Sequence, residues 1–529
     1  MKYKILDCTL RDGGYYTNWD FSPKLVRDYV SVSSALPIDY LEVGYRNPPA
    51  PGYFGEYYYL PTSLLRSLRD AIPANIKLAA MLDAKNCTES MMPFILKDCE
   101  GLIGLIRLAV DPAKIENFIG MARIIKEHGI DVSFNLMYLS KYKDMPDYLL
   151  NIKKCADVTD YIYLVDSYGA CFPHEVKDIV TRAKKALPQK IGFHGHDNLS
   201  LAFANSLAAI EAGVDIVDST FFGMGRGAGN LRTELLISYV KHVSGETANL
   251  SLLPILLDEF RTLHDKYHWG IELPYIISGL SDLPQKEVME WIERKRYSTS
   301  TITSFLQKDK HKPSADKSYK KLVTSAKQLG LDNIKSCIII GGGKSAAEYH
   351  DSIIAYCKKS NGLIIHSSLK STELYANDDV RQVLCIAGDE GEKLKALPES
   401  IRNCKFTAYI VSSPPRMVGQ DDAEFEDKVY EVDPIAPLVG DARENMLIKD
   451  APLSIGLGAA NALNISRILV AGFDGYTQAS EIQQQLATEN QNVFSNFISS
   501  YPKTKIESIV PTRYSIPKTS VHLLLRELE

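Results

Sequence analysis

The sequence predicts two α/β domains in series: a (β/α)8 barrel over the first 245 residues or so, then a second, open, Rossmann-like α/β domain. Eight β-rich runs, each followed by a helix-period segment, fall within those 245 residues, the count and size such a barrel needs. The runs are nearly continuous in apolar residues, as strands covered on both faces must be. No reversal signal interrupts the eight units, which favours closure over an open doubly wound sheet.

In chain order the strand runs are KILDCTL (4–10), IDYLEVG (38–44), IKLAAML (76–82), LIGLIRLAV (102–110), DVSFNLMYL (131–139), YIYLVD (161–166), KIGFHGH (190–196) and VDIVDSTFF (214–222). Helix starts are marked between them by Ser22-Pro23, Asp111-Pro112 and Phe172-Pro173, because proline suits the first helical turn. Residues 246–305, with Trp269, Pro274, Tyr275 and Trp291 in an amphipathic setting, read as a helical appendage, so the first domain is expected to span 1–305. The polar, lysine-rich stretch 306–333 reads as a linker. From Ile334 to residue 529 a second alternation begins, with KSCIIIGGG, GLIIHSS, QVLCIAG, FTAYIVSS and SRILVAGFDGY as strands.

Composition narrows the function classes. Hydrophobic residues make up 45% and charged residues 24%, the balance of a soluble globular protein. A formal net charge of -5 supplies no basic field, so neither nucleic acid nor an anionic membrane is expected as partner. No apolar run approaches the roughly 18–20 residues that cross a bilayer, and the charged opening MKYKILDCTLRDGGYY holds no secretory core. Nine scattered cysteines without a C-x-x-C pair suit the reducing cytoplasm, where a thiol is chiefly a small buried hydrophobe.

Active sites of such barrels lie where strands end. Four loops stand out there: Thr9-Leu10-Arg11-Asp12-Gly13-Gly14, Leu41-Glu42-Val43-Gly44, His194-Gly195-His196-Asp197, and Gly223-Met224-Gly225-Arg226-Gly227-Ala228-Gly229-Asn230. In an extended strand residues i and i+2 face the same way, so His194 and His196 present both imidazoles to one side. Two imidazoles and the carboxylate of Asp12 would leave places open on a divalent ion for substrate. Arg11 would set a fixed cation beside an oxygen that gains charge. Each feature alone has an ordinary structural explanation: core histidines, a loop ion pair, a turn with positive φ. Their coincidence at successive strand ends selects a metal site.

These motifs resemble the DRE-TIM metallolyase (HMGL-like) superfamily, through DCTLRDGG, LEVG and GFHGHDNLSLAFANSLAAIEAGVDIVDSTFFGMGRGAGN, over roughly residues 1–300. The nearest pattern is that of the 4-hydroxy-2-oxovalerate-type pyruvate aldolases. The resemblance implies Asp12, His194 and His196 as ligands of Mn2+ or Mg2+, with Asn230 at or near the metal, and Arg11 as stabiliser of a metal-bound pyruvate enolate. It makes Glu42 the third signature residue and places Tyr275 on a C-terminal helix reaching the site. The aldolases carry a catalytic histidine three residues after the ligand aspartate; here that position is Tyr15, a candidate acid–base group. The glycine loop lacks the cysteine of the lyase branch.

Further residues can point into the same cup. Arg46, in the Pro/Gly/Tyr-rich loop 45–59, Asn135 and Ser167 are candidate substrate-binding groups, and Asp83, Arg107 and Asp166 stand at strand ends as well. In the second domain Gly341, Gly343 and Ser345 read as a candidate nucleotide loop after a strand, although no ribose-binding acid follows the next strand. A nucleotide sugar is the ligand class considered there.

The expected activity is reversible aldol cleavage of a 4-hydroxy-2-oxo acid to a 2-oxo acid and an aldehyde, in a cytoplasmic homo-oligomer. A Claisen-type synthase using acyl-CoA and a 2-oxo acid is the alternative within enzymes. A barrel serving as platform for a nucleotide-sugar-binding or partner-docking C-terminal domain is the alternative outside them.

Overall fold

The computed structural model describes residues 3–529 apart from 146, 246–247, 294–298, 300–301, 304–305, 307–317, 388–405, 415–425, 436–450 and 478. The chain divides into two compact units, Met1–Glu290 and Trp291–Glu529. The division falls within the helix Gln285–Glu293, ahead of the boundary at 305 that composition suggested.

Strands β1 (Lys4–Asp7), β2 (Tyr40–Tyr45), β3 (Lys77–Leu82), β4 (Leu105–Val110), β5 (Asp131–Leu136), β6 (Tyr161–Asp166), β7 (Lys190–Gly195) and β8 (Ile216–Ser219) form the first unit's barrel. They follow one another in chain order, all parallel, and β8 closes on β1 with Lys4 opposite Ile216 and Asp7 opposite Ser219. The apolar runs explain this: β2 and β6 are buried at every position, one face toward the barrel axis and the other under the helices.

β1 is shorter than its apolar run. The Asp7 carboxylate accepts hydrogen bonds from the backbone N and the hydroxyl of Thr9, at 3.0 and 2.6 Å, which turns the chain. Residues Thr9–Thr17 then form a helix, so Arg11 and Asp12 sit on a helical turn instead of a strand end.

The second unit holds β9 (Lys320–Lys321), β10 (Ser336–Ile340), β11 (Leu363–His366), β12 (Arg381–Cys385), β13 (Phe406–Ser412), β14 (Val429–Val432), β15 (Arg467–Ala471) and β16 (Lys505–Ser508). Their order is β16-β15-β10-β11-β12-β13-β14-β9, an open parallel sheet that reverses direction between β10 and β15. The stretch expected as linker is partly fold: β9 pairs with β14, and Leu322 and Leu331 are buried in the core. Its remainder, 307–317, lies outside the described residues. No helix among the described residues is long and apolar enough to cross a membrane, and the eight described cysteines are all buried.

Candidate active site

An ion network fills the barrel axis near the strand ends, where apolar layers are the norm. Arg107, on β4, is fully buried and reaches Glu42 at 3.1 Å and Asp218 at 2.5 Å, with its guanidinium 4.0 Å from the Tyr163 ring centroid. Glu42 also takes Arg11 Nε at 2.7 Å, and Arg11 Nη1 donates to Asp12. Arg11 is thereby pinned by two carboxylates. Among the described residues its Nη2 has no partner, and Arg11 lines the cavity above the network.

The two histidines are aimed by their other nitrogens. His194 Nδ1 donates to Asp218 Oδ2 at 2.9 Å, and His196 Nδ1 donates to the Asp166 carbonyl at 2.8 Å. Such bonds fix the tautomer and leave Nε2 as the lone-pair donor. His194 Nε2 stands 3.8 Å from Asp12 Oδ2, and the two rings are 4.9 Å apart between centroids. Two donors about 2.1 Å from one ion are about 3–4 Å apart, so the His194–Asp12 gap suits shared ligation and is too long for a hydrogen bond. Asn230 Nδ2 donates to Asp12 Oδ2 at 2.7 Å, while the buried Asn230 Oδ1 has no partner among the described residues. An orphaned carbonyl beside this N/O donor set fits a divalent cation.

Electrostatics agree with ligand duty. Burial pushes Asp12 up, but the Arg11 guanidinium, the two imidazoles and Arg226 outweigh it and hold the carboxyl at about 2. Burial, aided by His194, brings His196 down to about 3, so its ring is neutral. The group of donor atoms lying within 4.8 Å of one another among the described residues is that of Cys8, His194 and Asp218. Asp218, however, is committed to Arg107 and His194, and burial raises the Cys8 thiol well above its ordinary range, so it stays protonated.

A cavity of 330 Å³ opens over these groups, at the small end of the range for ligand pockets. Arg11, Tyr15, Asn135, His194 and His196 line it, with Tyr45, Tyr138 and Arg226. Tyr15 Oη shares a 2.8 Å hydrogen bond with Tyr45 Oη. Asp12 and Asn230 lie just behind. The strand-8 loop follows the cavity wall: at Gly229 φ is +82° and a Cβ would meet the Gly223 carbonyl at 2.3 Å, so only glycine fits.

Several expected residues do other work. Arg46 donates to the backbone carbonyls of Ile95, Tyr59, Leu60 and Lys97 and ties loops together, which leaves its fork no face for substrate. Glu42 is wholly buried and acts on Arg11 instead of reaching the cavity. Tyr275 does not line the cavity: it packs behind the glycine loop, where a Cβ on Gly227 would meet its ring at 3.0 Å. Ser167 Oγ accepts from the Tyr138 backbone N at 2.8 Å and joins the β5 and β6 loops. Asn135 reaches the cavity, but its Oδ1 accepts from Ser133 and Arg107.

In the second unit, Gly343 N donates to the Gly472 carbonyl and Ser345 N to Asp474 Oδ2, and the Ser345 hydroxyl also donates to Asp474. Gly341 N is spent on the Ala471 carbonyl. The chain's own carboxylate thus takes the place a phosphate would need, and the nucleotide-loop expectation for Gly341, Gly343 and Ser345 is withdrawn.

Sequence reading missed Asp218, Tyr45 and the part played by Arg226. The signal for Asp218 was present, a carboxylate inside the apolar run VDIVDSTFF, but its partners come from β4 and β7 and appear only on closure.

The HMGL-like family profile matches residues 106–255. The chain is 32% identical over 254 residues to a 4-hydroxy-2-oxovalerate aldolase of Geobacillus genomosp. 3, which covers 46% of this chain and 72% of the relative. It is 30% identical over 245 residues to an oxaloacetate decarboxylase of Mycobacterium tuberculosis, covering 44% and 68%. It is also similar to the crystal structure of the N-terminal domain of a protein from Bacteroides vulgatus described as a candidate aldolase, with 45% identity, a TM-score of 0.54, and coverage of 57% of this chain and 99% of that one. The family profile and the named relatives support an enzyme of the lyase kind. The chain belongs to the HMGL-like family.

Proposed function

We propose that the chain is a divalent-metal-dependent aldolase that splits a 4-hydroxy-2-oxo acid into pyruvate and an aldehyde, and joins them in the reverse direction. The observation that carries this reading is the 3.8 Å approach of His194 Nε2 to Asp12 beside Arg11, with the His196 ring next to that of His194 and both rings oriented through Nδ1. The two relatives support it, since aldol cleavage and oxaloacetate decarboxylation both break the C3–C4 bond of a 2-oxo acid.

Asp12, His194 and His196 would hold the ion, with the Asn230 carbonyl oxygen as the adjacent donor, and Mn2+ or Mg2+ suits these ligands. The chemistry an ion supplies there is Lewis-acid polarisation of the 2-oxo group. Tyr15 Oη takes the proton of the 4-hydroxyl as its own proton passes to Tyr45 and on to solvent, C3–C4 breaks with release of the aldehyde, and the electron pair of that bond moves into the enolate of pyruvate. Arg11, locked by Glu42 and Asp12, keeps one guanidinium nitrogen for the enolate oxygen. Tyr45, hydrogen-bonded to Tyr15, steadies the phenol and connects it to a second hydroxyl. A proton returned from solvent to C3 then completes pyruvate and closes the proton balance.

The test is a pyruvate-release screen over 4-hydroxy-2-oxo acids, with and without Mn2+, for wild type, Asp12→Asn and Tyr15→Phe. Release that needs Mn2+ and is lost in Asp12→Asn supports the reading; full activity in Tyr15→Phe discards Tyr15 as base. Oxaloacetate belongs in the screen, because decarboxylation needs no base at that position. CO2 release from it, without cleavage of any hydroxy acid, would move the assignment to decarboxylation.

A further inference from the structure

Among the described residues the Arg226 guanidinium has neither an ion pair nor a hydrogen bond. The other arginines in or under the site are charge-paired or spent: Arg11 on Asp12 and Glu42, Arg107 on Glu42 and Asp218, Arg46 on backbone carbonyls. Arg226 lines the cavity with its guanidinium carbon 4.3 Å from the Tyr15 ring centroid. Stacking engages the face of a guanidinium and leaves its in-plane N–H fork free for a carboxylate.

Charge makes the vacancy informative. The buried network holds two arginines against Asp12, Glu42 and Asp218, an excess of one negative charge. A dication on neutral imidazoles and the monoanion of a 2-oxo acid bring that network to neutrality. The positive charge of Arg226 is then left over in a place shielded from water, which is costly without a counter-ion. The acids on the cavity wall do not supply one: Asp83 bonds Asn86 and Lys85, and Asp111 bonds Ala113 N and Tyr142 Oη. Lys114, at the rim and likewise without a partner, adds a second cation on the same cavity.

We propose that Arg226 receives a second negative charge on the substrate, so that the enzyme acts on dianionic 2-oxo acids whose aldehyde half ends in a carboxylate. The inference rests on the aldolase reading above and deepens it to a substrate class. The cavity's small volume suits such a short-chain dianion.

Binding of analogues without a 4-hydroxyl tests this apart from turnover, since they cannot undergo aldol cleavage. With Mn2+ present, calorimetry should show wild type binding 2-oxopentanedioate at least tenfold more tightly than 2-oxopentanoate, with the preference shrinking as salt rises. In Arg226→Gln the ratio should fall to threefold or less, and Arg226→Lys, which keeps a cation, should retain part of it. Near-UV circular dichroism verifies that both variants are folded. No preference in wild type, an undiminished ratio in Arg226→Gln, or an equal loss for both ligands would overturn the proposal; the last would mean that Arg226 holds the 2-oxo acid's own carboxylate. Tighter binding of 2-oxo-5-phosphonopentanoate than of the dicarboxylates would overturn the terminal carboxylate in favour of a phosphate. If the ratio behaves as stated while no hydroxy acid yields pyruvate, the aldolase reading falls and the assignment of Arg226 stands.

Discussion

Asp218 on β8 holds His194 on β7 by a 2.9 Å hydrogen bond to Nδ1, and so turns the opposite ring nitrogen toward Asp12, 3.8 Å away. The same carboxylate oxygen takes Arg107 at 2.5 Å. From Arg107 the contacts pass to Glu42 and from Glu42 to Arg11, so one chain of ion pairs orients both a ligand and the cation beside it.

Loosening the aim of His194 should weaken the metal. Asp218→Asn keeps the volume but loses the charge that orients the ring, and Mn2+ affinity measured by calorimetry should fall about 10- to 100-fold. Wild-type affinity in the folded variant would show that Asp218 does not orient a ligand.

Glu42 joins two arginines that are otherwise buried with little water to receive their charge. Glu42→Gln should lower the unfolding free energy by about 3 kcal/mol, read from urea denaturation, because it leaves buried cations undercompensated. It should also lower kcat more than it raises KM, since Arg11 loses its anchor. A purely structural role would change stability and leave the kcat-to-KM balance alone.

Arg46 should matter for folding and not for substrate. Arg46→Ala strips four backbone carbonyls of their donors, for an expected loss of about 1–3 kcal/mol, with KM unchanged. A rise in KM without loss of stability would restore it as a substrate contact.

The second unit should carry a pH dependence of its own. Burial brings His366 down to about 4, and its Nε2 bonds Gln382. An unfolded histidine binds its proton near pH 6.5, so unfolding takes up a proton as the medium is acidified. The stability contribution is therefore whole above pH 6.5 and is lost as pH falls toward 4, by up to about 3 kcal/mol. Urea denaturation of the full chain at pH 7 and pH 4.5 should show the loss, and His366→Leu should flatten it. An equal slope in both proteins would assign the dependence to other groups.

Much of the barrel could be read from the chain because its strands are buried on both faces and so nearly all apolar. His194 and His196 were legible for a related reason, since strand alternation sends i and i+2 the same way. The helical setting of Asp12 was not, because it follows from the bond between Asp7 and Thr9, a side chain competing with the backbone ladder. Arg107, Glu42 and Asp218 each interrupt an apolar run, yet their pairing exists only once β2, β4 and β8 face a common axis. β9 escaped notice because Lys320–Lys321 is an edge strand, where lysines are favoured and the apolar signature is weak.

Titration of metal-free protein with Mn2+, followed by the electron paramagnetic resonance of the free ion, addresses the central claim most directly. One Mn2+ per chain is expected in wild type, with affinity falling at least 100-fold in Asp12→Asn and in His196→Gln. Unaltered binding in both variants, or no Mn2+ uptake by the wild-type protein, would contradict the account.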